Sequence, residues 1–267
     1  MDDMDTRPIG VFDSGIGGVT VFKEIRKLLP NENIIYYADT ARVPYGPRPT
    51  EEIIRFSLDA VDFLLKQQIK LLVIACNTVS AVAFDAILAH TDIPVIGVIE
   101  PGTRSVVSRS GIHKLGLIAT EATVRSGEYQ KRLTQEEPNL QLITKACPML
   151  VSLIEEGWGN TEISKLVIQK YMEDMKGADL DGLILACTHF PVIRAQIEEY
   201  LGPDVQIIDP AEETAKELER VLQERKLLHP AEGEASIRFY VSDKPEKFKS
   251  IVEKILDPRD IRQVSLT

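Results

Sequence analysis

Cysteine is scarce in this chain, three of 267 residues, and none of the three stands in a Cys-x-x-Cys pair. That argues against a disulfide-stapled secreted scaffold and against a thiol–disulfide oxidoreductase. Only four histidines are present, His90, His113, His189 and His229, and they are scattered, so no structural zinc site is expected. No apolar run approaches the length needed to span a bilayer. The start, Met1-Asp2-Asp3-Met4-Asp5, is acidic where a secretory leader is basic and then apolar. These absences predict a cytoplasmic protein that does not enter a membrane. Positive charge is also short: 31 Lys and Arg stand against 41 Asp and Glu, a formal net charge of −10. That excludes wrapping of a nucleic-acid backbone, which needs clustered basic residues. An anionic ligand must then be held by local dipoles against the overall field.

What the chain does have is an ordinary soluble balance, 44% hydrophobic and 27% charged, enough for a sizeable core in two small domains. Apolar runs that read as strands (9–12, 34–38, 71–75, 94–98) alternate with helical spacing at 18–29, at 79–90 and in a helix opened by Thr50 with Glu51 and Glu52. The second half repeats the theme. Strands are predicted at 114–119, 141–145, 182–186, 206–208 and 236–241, and helices at 123–133, 150–156, 161–175, 212–225 and 244–256, with a helix entered near Pro191 and a polar loop at 225–234. Continuous rather than alternating apolar strands imply parallel sheets covered on both faces. In such sheets ligands bind beyond the carboxyl ends of the strands, so chemistry is sought at strand-to-helix turns.

Two of those turns look alike. Leu72-Val73-Ile74-Ala75-Cys76-Asn77-Thr78 is matched by Leu183-Ile184-Leu185-Ala186-Cys187-Thr188-His189. Each is an apolar strand, then Ala-Cys, then polar residues entering a helix, as if one copy lay in each of two similar halves. A thiol facing a helix N-terminus meets unpaired N–H groups and the positive end of the dipole, which favour thiolate. Two such thiols on opposite walls of a cleft can straddle one carbon, one removing a proton while the other delivers a proton to the opposite face. A single free cysteine is ordinarily a buried small hydrophobe; the matched pair is what turns the reading toward catalysis. Cys147, in Ala146-Cys147-Pro148, has no twin and reads as structural.

The glycine turn Asp13-Ser14-Gly15-Ile16-Gly17-Gly18 follows the first strand and meets only part of a dinucleotide fingerprint. Its N–H groups suit an anion, but Asp13 opposes one; a carboxylate there suits a substrate ammonium or a bond to a catalytic residue. Asp13 or Ser14 acting as a plain helix cap is the alternative. A nucleotide-binding module built on this turn is the rival from another class. The loop at 39–50 is stiffened by Pro44, Pro47 and Pro49, and Tyr45-Gly46 can present a ring and backbone groups to a ligand. A pyridoxal enzyme would need a Schiff-base lysine, and none lies in these strand-end motifs.

Together these motifs resemble those of the glutamate racemases, over nearly the whole chain. The matching pieces are Gly10-Val11-Phe12-Asp13-Ser14-Gly15-Ile16-Gly17-Gly18, Tyr37-Ala38-Asp39-Thr40-Ala41-Arg42-Val43-Pro44-Tyr45-Gly46, Ala75-Cys76-Asn77-Thr78-Val79-Ser80-Ala81 and Ala186-Cys187-Thr188-His189-Phe190-Pro191. The resemblance implies an α/β fold of two pseudo-symmetric domains, each a mainly parallel sheet flanked by helices, with the active site in the interdomain cleft. It divides the chain into 1–98 plus 207–267 and 99–206. It implies no cofactor, no metal and no nucleotide, a homodimer, and L-/D-glutamate as substrate, with D-glutamate supplied for peptidoglycan. By resemblance Cys76 deprotonates D-glutamate and Cys187 L-glutamate, Asp13 supports the first thiol and His189 the second. A further glutamate near the second thiol is Glu155 or Glu156, with Glu155 preferred. Substrate contacts are implied for Asp13, Ser14, Tyr45, Gly46, Asn77, Thr78, Thr188 and His189, with Thr120 and Thr123 as further ones. An aspartate racemase is the nearest alternative, since one methylene in a pocket is worth only about 1–3 kcal/mol.

Overall fold

The computed structural model describes residues 5–230, 235–257, 261 and 264–266. The acidic first four residues, and 231–234 of the expected polar loop, lie outside them. Along the chain the elements are β1 (Ile9–Asp13), α1 (Val19–Leu28), β2 (Ile34–Ala38), α2 (Thr50–Lys66), β3 (Leu71–Ile74), α3 (Asn77–Val82), α4 (Phe84–His90), β4 (Val95–Gly97) and α5 (Ile99–Val107). Next come β5 (Lys114–Ala119), α6 (Glu121–Ser126), α7 (Glu128–Glu136), β6 (Gln141–Ala146), α8 (Pro148–Glu155), α9 (Glu162–Lys176) and β7 (Gly182–Ala186). A 3-10 turn (Phe190–Ile193) leads into α10 (Arg194–Leu201), followed by β8 (Gln206–Ile208), α11 (Ala211–Glu224), β9 (Ile237–Val241), α12 (Pro245–Val252) and β10 (Val264–Leu266).

The strands form two sheets, ordered β10-β9-β2-β1-β3-β4 and β6-β5-β7-β8. Every pairing is parallel. All residues of β1, β2, β3 and β7 are buried, which is why these strands read as unbroken apolar runs. The order β2-β1-β3-β4 in the larger sheet is repeated as β6-β5-β7-β8 in the smaller. In both, the chain reverses its direction of travel across the sheet beside the first strand of the set. That leaves a crevice at the carboxyl ends of β1 and β3 and an equivalent one at β5 and β7. The two cysteine motifs follow β3 and β7, the same position in each copy. After β8 the chain returns to the larger sheet, where β9 pairs with β2 from Ile34↔Ile237 to Ala38↔Val241. Because β8 pairs with β7, the smaller sheet runs to Ile208, past the expected division at 206/207.

Several expected elements differ from the structure. The helix expected at 79–90 is two helices, broken at Ala83 (φ −114°, ψ 0°), and it begins at Asn77, directly after Cys76. The helix expected at 123–133 is broken at Gly127, whose φ of +67° an L side chain rarely adopts. Thr50 does not cap α2: Pro49 occupies the flanking position, and Thr50 is already helical with no capping hydrogen bond. Helix α5 has no counterpart among the expected elements; its Pro101 falls within the first helical turn, where a missing N–H is tolerated. The closing helix ends at Val252 rather than 256, and β10 was not expected.

Candidate active site

Cys76 is the residue flanking the N-terminus of α3, held in extended backbone (φ −70°, ψ 121°), so its side chain leaves the carboxyl end of β3 beside the first free N–H groups of the helix. Asp13 ends β1, the neighbouring strand, and Ser14 Oγ lies 3.5 Å from Cys76 Sγ. In the other half Cys187 follows β7, and its Sγ lies 3.7 Å from His189 Nδ1. Both thiols are 5% exposed and both line one cavity between the two sheets. Ser14, Tyr45, Gly46, Asn77, Thr78, Thr120, Thr188 and His189 line it too. Pro44, read from the sequence only as stiffening its loop, and Val151, which the sequence did not single out, complete the wall. The free space inside is about 10 Å³, close to what one water needs, so the cleft is closed.

Three of the expected residues sit behind this lining. Asp13 is fully buried; its Oδ1 accepts from Gly15 N (2.8 Å) and its Oδ2 from Thr188 Oγ1 (3.1 Å), so it ties the first strand end to the second. Glu155 Oε1 accepts from Ile16 N (3.0 Å) and lies 2.7 Å from His189 Nε2. The adjacent Glu156 points outward to Lys247 Nζ (2.8 Å), so of the two glutamates only Glu155 reaches the histidine. Thr123 contacts Thr120 Oγ1 through both its hydroxyl (3.0 Å) and its N–H (3.3 Å). Thr120 in turn meets Thr78 Oγ1 across the cleft at 2.9 Å. Tyr45 lines the cavity while its hydroxyl donates to the fully buried Asp39, which also accepts from Arg42 Nε (2.6 Å) and Ser242 Oγ (2.8 Å). Asp39 lies in the quoted motif, but its role depends on Ser242, far away in sequence. Sequence reasoning also missed Tyr129, whose hydroxyl donates to Asn77 Oδ1 (2.6 Å).

The glycine turn has a different use from an anion cradle. The N–H groups of Gly15 and Ile16 are already taken by the carboxylates of Asp13 and Glu155. A Cβ on Gly15 would strike Glu155, and one on Gly17 would strike Thr188 and His189. The glycines let the second half of the molecule lie directly against the first. Nor do Asp13 and Ser14 cap α1, whose flanking residue is Gly18.

Charge on the two thiols is treated differently. Burial pushes the Cys76 thiol up to about 12, reinforced by the neighbouring Asp13 carboxylate; the Ser14 hydroxyl and the Val79 N–H oppose this without overcoming it. The expectation that a helix N-terminus would lower this thiol fails in the closed cleft, because the cost of removing charge from water exceeds what one short helix returns. Burial also raises Asp13, countered by His189 and by its hydrogen bonds. For His189 burial works against the protonated ring, but the bonds to Cys187 and Glu155 outweigh it and hold the imidazole well above its ordinary value. Among the described residues no three His, Cys, Asp or Glu side chains are grouped to hold a metal ion.

The model of the Asp/Glu/Hydantoin racemase family matches residues 9–218. The chain is 44% identical to a glutamate racemase of Geobacter metallireducens, over 98% of each chain, and 42% identical to one of Neisseria meningitidis, over 97% of this chain and 96% of that one. This chain belongs to the Asp/Glu/Hydantoin racemase family, among its glutamate racemases. As a member it is an amino-acid racemase, an isomerase. Its fold superposes on the glutamate racemase of Francisella tularensis in complex with D-glutamate with a TM-score of 0.91 at 39% identity, covering 99% of this chain and 98% of that one. For the Thermus thermophilus glutamate racemase in complex with beta-chloro-D-alanine the TM-score is 0.86 at 41% identity, with 98% of each chain covered. A Pyrococcus horikoshii aspartate racemase homologue shares the fold at a TM-score of 0.56 and 19% identity.

Two outcomes follow for this racemase. Gly17→Ala is expected to hold the halves apart at Thr188 and His189 and lower kcat/KM by about 10²-fold, the size of effect that an ångström of misplacement produces; steady-state kinetics showing less than a twofold change would contradict it. The second concerns pH. Burial raises Cys147, like Cys76, to about 12 from a value near 9. Between these limits the unfolded chain releases the proton while the folded chain keeps it, so stability is intact below pH 9 and falls as pH rises above it. Each such thiol contributes a slope of about 1.4 kcal/mol per pH unit. Urea unfolding from pH 8 to 11 is expected to show a shallower alkaline decline for Cys147→Ala than for the wild type; parallel declines would contradict it.

Proposed function

We propose that the chain interconverts L- and D-glutamate by a two-thiol proton transfer without a cofactor. The observation that carries this reading is that two matched strand-end thiols line one closed cavity, each with a different polar partner. Cys76 as thiolate takes the α-proton of D-glutamate and becomes a thiol. The electron pair left on Cα delocalises into the adjoining carboxylate, and the thiol of Cys187 gives its proton to the opposite face. The product is L-glutamate with Cys187 as thiolate, and the reverse direction exchanges the roles. Asp13 and Ser14 serve the first thiol, and His189, held by Glu155, serves the second. Ser14, Tyr45, Gly46, Asn77, Thr78, Thr120, Thr123, Thr188 and His189 hold or support the substrate.

At neutral pH, ionising a thiol poised near 12 costs about 7 kcal/mol at ~1.4 kcal/mol per unit. A substrate ammonium placed near Asp13 offsets part of that, because it adds the positive charge that the buried carboxylate and thiolate lack. Preorganised donors around the carboxylates supply the rest in a site from which water is excluded. So narrow a cavity supports a cycle in which the two lobes, taken as 1–98 plus 207–267 and 99–206 but with β8 to Ile208 moving with the second, part to admit substrate and close again for chemistry. In the cell this reading makes the protein a cytoplasmic homodimer that supplies D-glutamate for peptidoglycan. No helix among the described residues is long and apolar enough to cross a membrane.

The test uses cofactor-free, metal-stripped protein in D₂O with L-glutamate. The circular dichroism signal is expected to decay to zero as deuterium replaces the α-proton in the NMR spectrum. Cys76→Ala and Cys187→Ala are each expected to lose at least 10²–10⁴-fold in rate, the usual worth of a positioned acid or base, roughly. Decay with aspartate but not glutamate would move the substrate assignment, and no exchange with either would contradict the reading.

A further inference from the structure

Tyr129 lies on α7, in the half that carries the smaller sheet, yet among the described residues its side chain hydrogen-bonds across to the other half. Its hydroxyl donates to Asn77 Oδ1 at 2.6 Å. The ring is 2% exposed and Asn77 4% exposed. Asn77 is the residue after Cys76 and lines the cavity. An amide side chain has two faces of opposite character, an oxygen that accepts and an NH₂ that donates, and nothing in its shape distinguishes them. A phenol breaks that symmetry, because its single O–H needs an acceptor. Turning the amide over would let the phenol oxygen accept from the NH₂ but would take from the buried hydroxyl proton the acceptor it has in the structure. Burial, with Asp209 and Cys187 adding to it, holds this phenol well above its ordinary value, so it remains a donor at any working pH.

We propose that Tyr129 is a positioning residue for the racemase reaction: by engaging Asn77 Oδ1 from across the cleft it leaves Asn77 Nδ2 as the group offered to a substrate carboxylate. The proposal rests on the glutamate reading of the site and deepens it. An Asn77 turned the other way would set an acceptor oxygen against an anion. The bond also joins the two halves, so the amide is oriented when they are together. Nothing in helical spacing marks Tyr129, which reads as an ordinary core aromatic of an amphipathic helix.

The experiment compares wild type, Tyr129→Phe, Asn77→Ala and the double variant, with kcat and KM measured for both enantiomers of glutamate. The phenylalanine keeps the packing and removes only the hydroxyl. Tyr129→Phe is expected to raise KM about tenfold in both directions, the worth of one hydrogen bond, with kcat changed less than about threefold. In the Asn77→Ala background it is expected to add nothing. A second readout needs no turnover. The side-chain NH₂ resonances assigned to Asn77 by their loss in Asn77→Ala are expected to shift in Tyr129→Phe. An unchanged KM, an equal rise in both backgrounds, or unmoved NH₂ resonances would each overturn the proposal. A wild-type protein inactive on glutamate would instead count against the substrate assignment, and the resonances would still decide the role of Tyr129.

Discussion

The turn after β1 lies directly against Thr188, His189 and Glu155, and the rest of the site is arranged around that contact. Two open α/β sheets each leave a crevice at the carboxyl ends of their strands. Placing one crevice over the other makes a closed chamber only if the backbones can approach without side chains between them. Gly15 and Gly17 permit this, and the bonds from Thr188 to Asp13 and from Ile16 to Glu155 hold the surfaces together. A contact of this kind is also what excludes water, and exclusion of water makes each fixed dipole and charge around the thiols count for more.

The same exclusion makes charge expensive, and the two thiols meet that cost unequally. Cys76 faces a hydroxyl and, behind it, a buried carboxylate, so negative charge there is opposed until a cation arrives. Cys187 faces an imidazole whose bonds to Cys187 and Glu155 raise its affinity for a proton. A substrate bearing both an ammonium and carboxylates complements such a chamber, because it carries the positive charge lacking near Asp13 and finds donors elsewhere. The acidity of the whole chain, −10, then matters little, since the field inside the cavity is set by groups a few ångströms away.

Much of this is legible in the sequence alone. Strands buried on both faces announce themselves as continuous apolar runs, and β2, β5, β7 and β8 have the bounds the sequence indicates. The twin Ala-Cys turns are legible because each copy is local, a few consecutive residues at a strand end. What was hidden depends on contacts distant in the chain. Tyr129 is informative only once it is seen to touch Asn77, and Asp39 only once Ser242 is seen beside it. The choice between Glu155 and Glu156 turns on which side of α8 faces the glycine turn. The breaks at Ala83 and Gly127 escape a periodicity argument because the apolar positions continue across them, and α5 is masked by its own Pro-Gly. The raised Cys76 thiol could not be read either: proximity to a helix end is a sequence feature, whereas the depth of burial that overrides it belongs to the closed fold.

If each thiol serves as base in one direction only, weakening one of them must show itself asymmetrically. The decisive measurement is therefore the primary isotope effect with α-deuterated D- and L-glutamate for Cys76→Ser and Cys187→Ser, both retaining a residual exchangeable proton. Cys76→Ser is expected to raise the isotope effect selectively for D-glutamate and Cys187→Ser selectively for L-glutamate. Isotope effects that rise equally in both directions for either variant would contradict two opposed thiols and point to a single base acting on both faces.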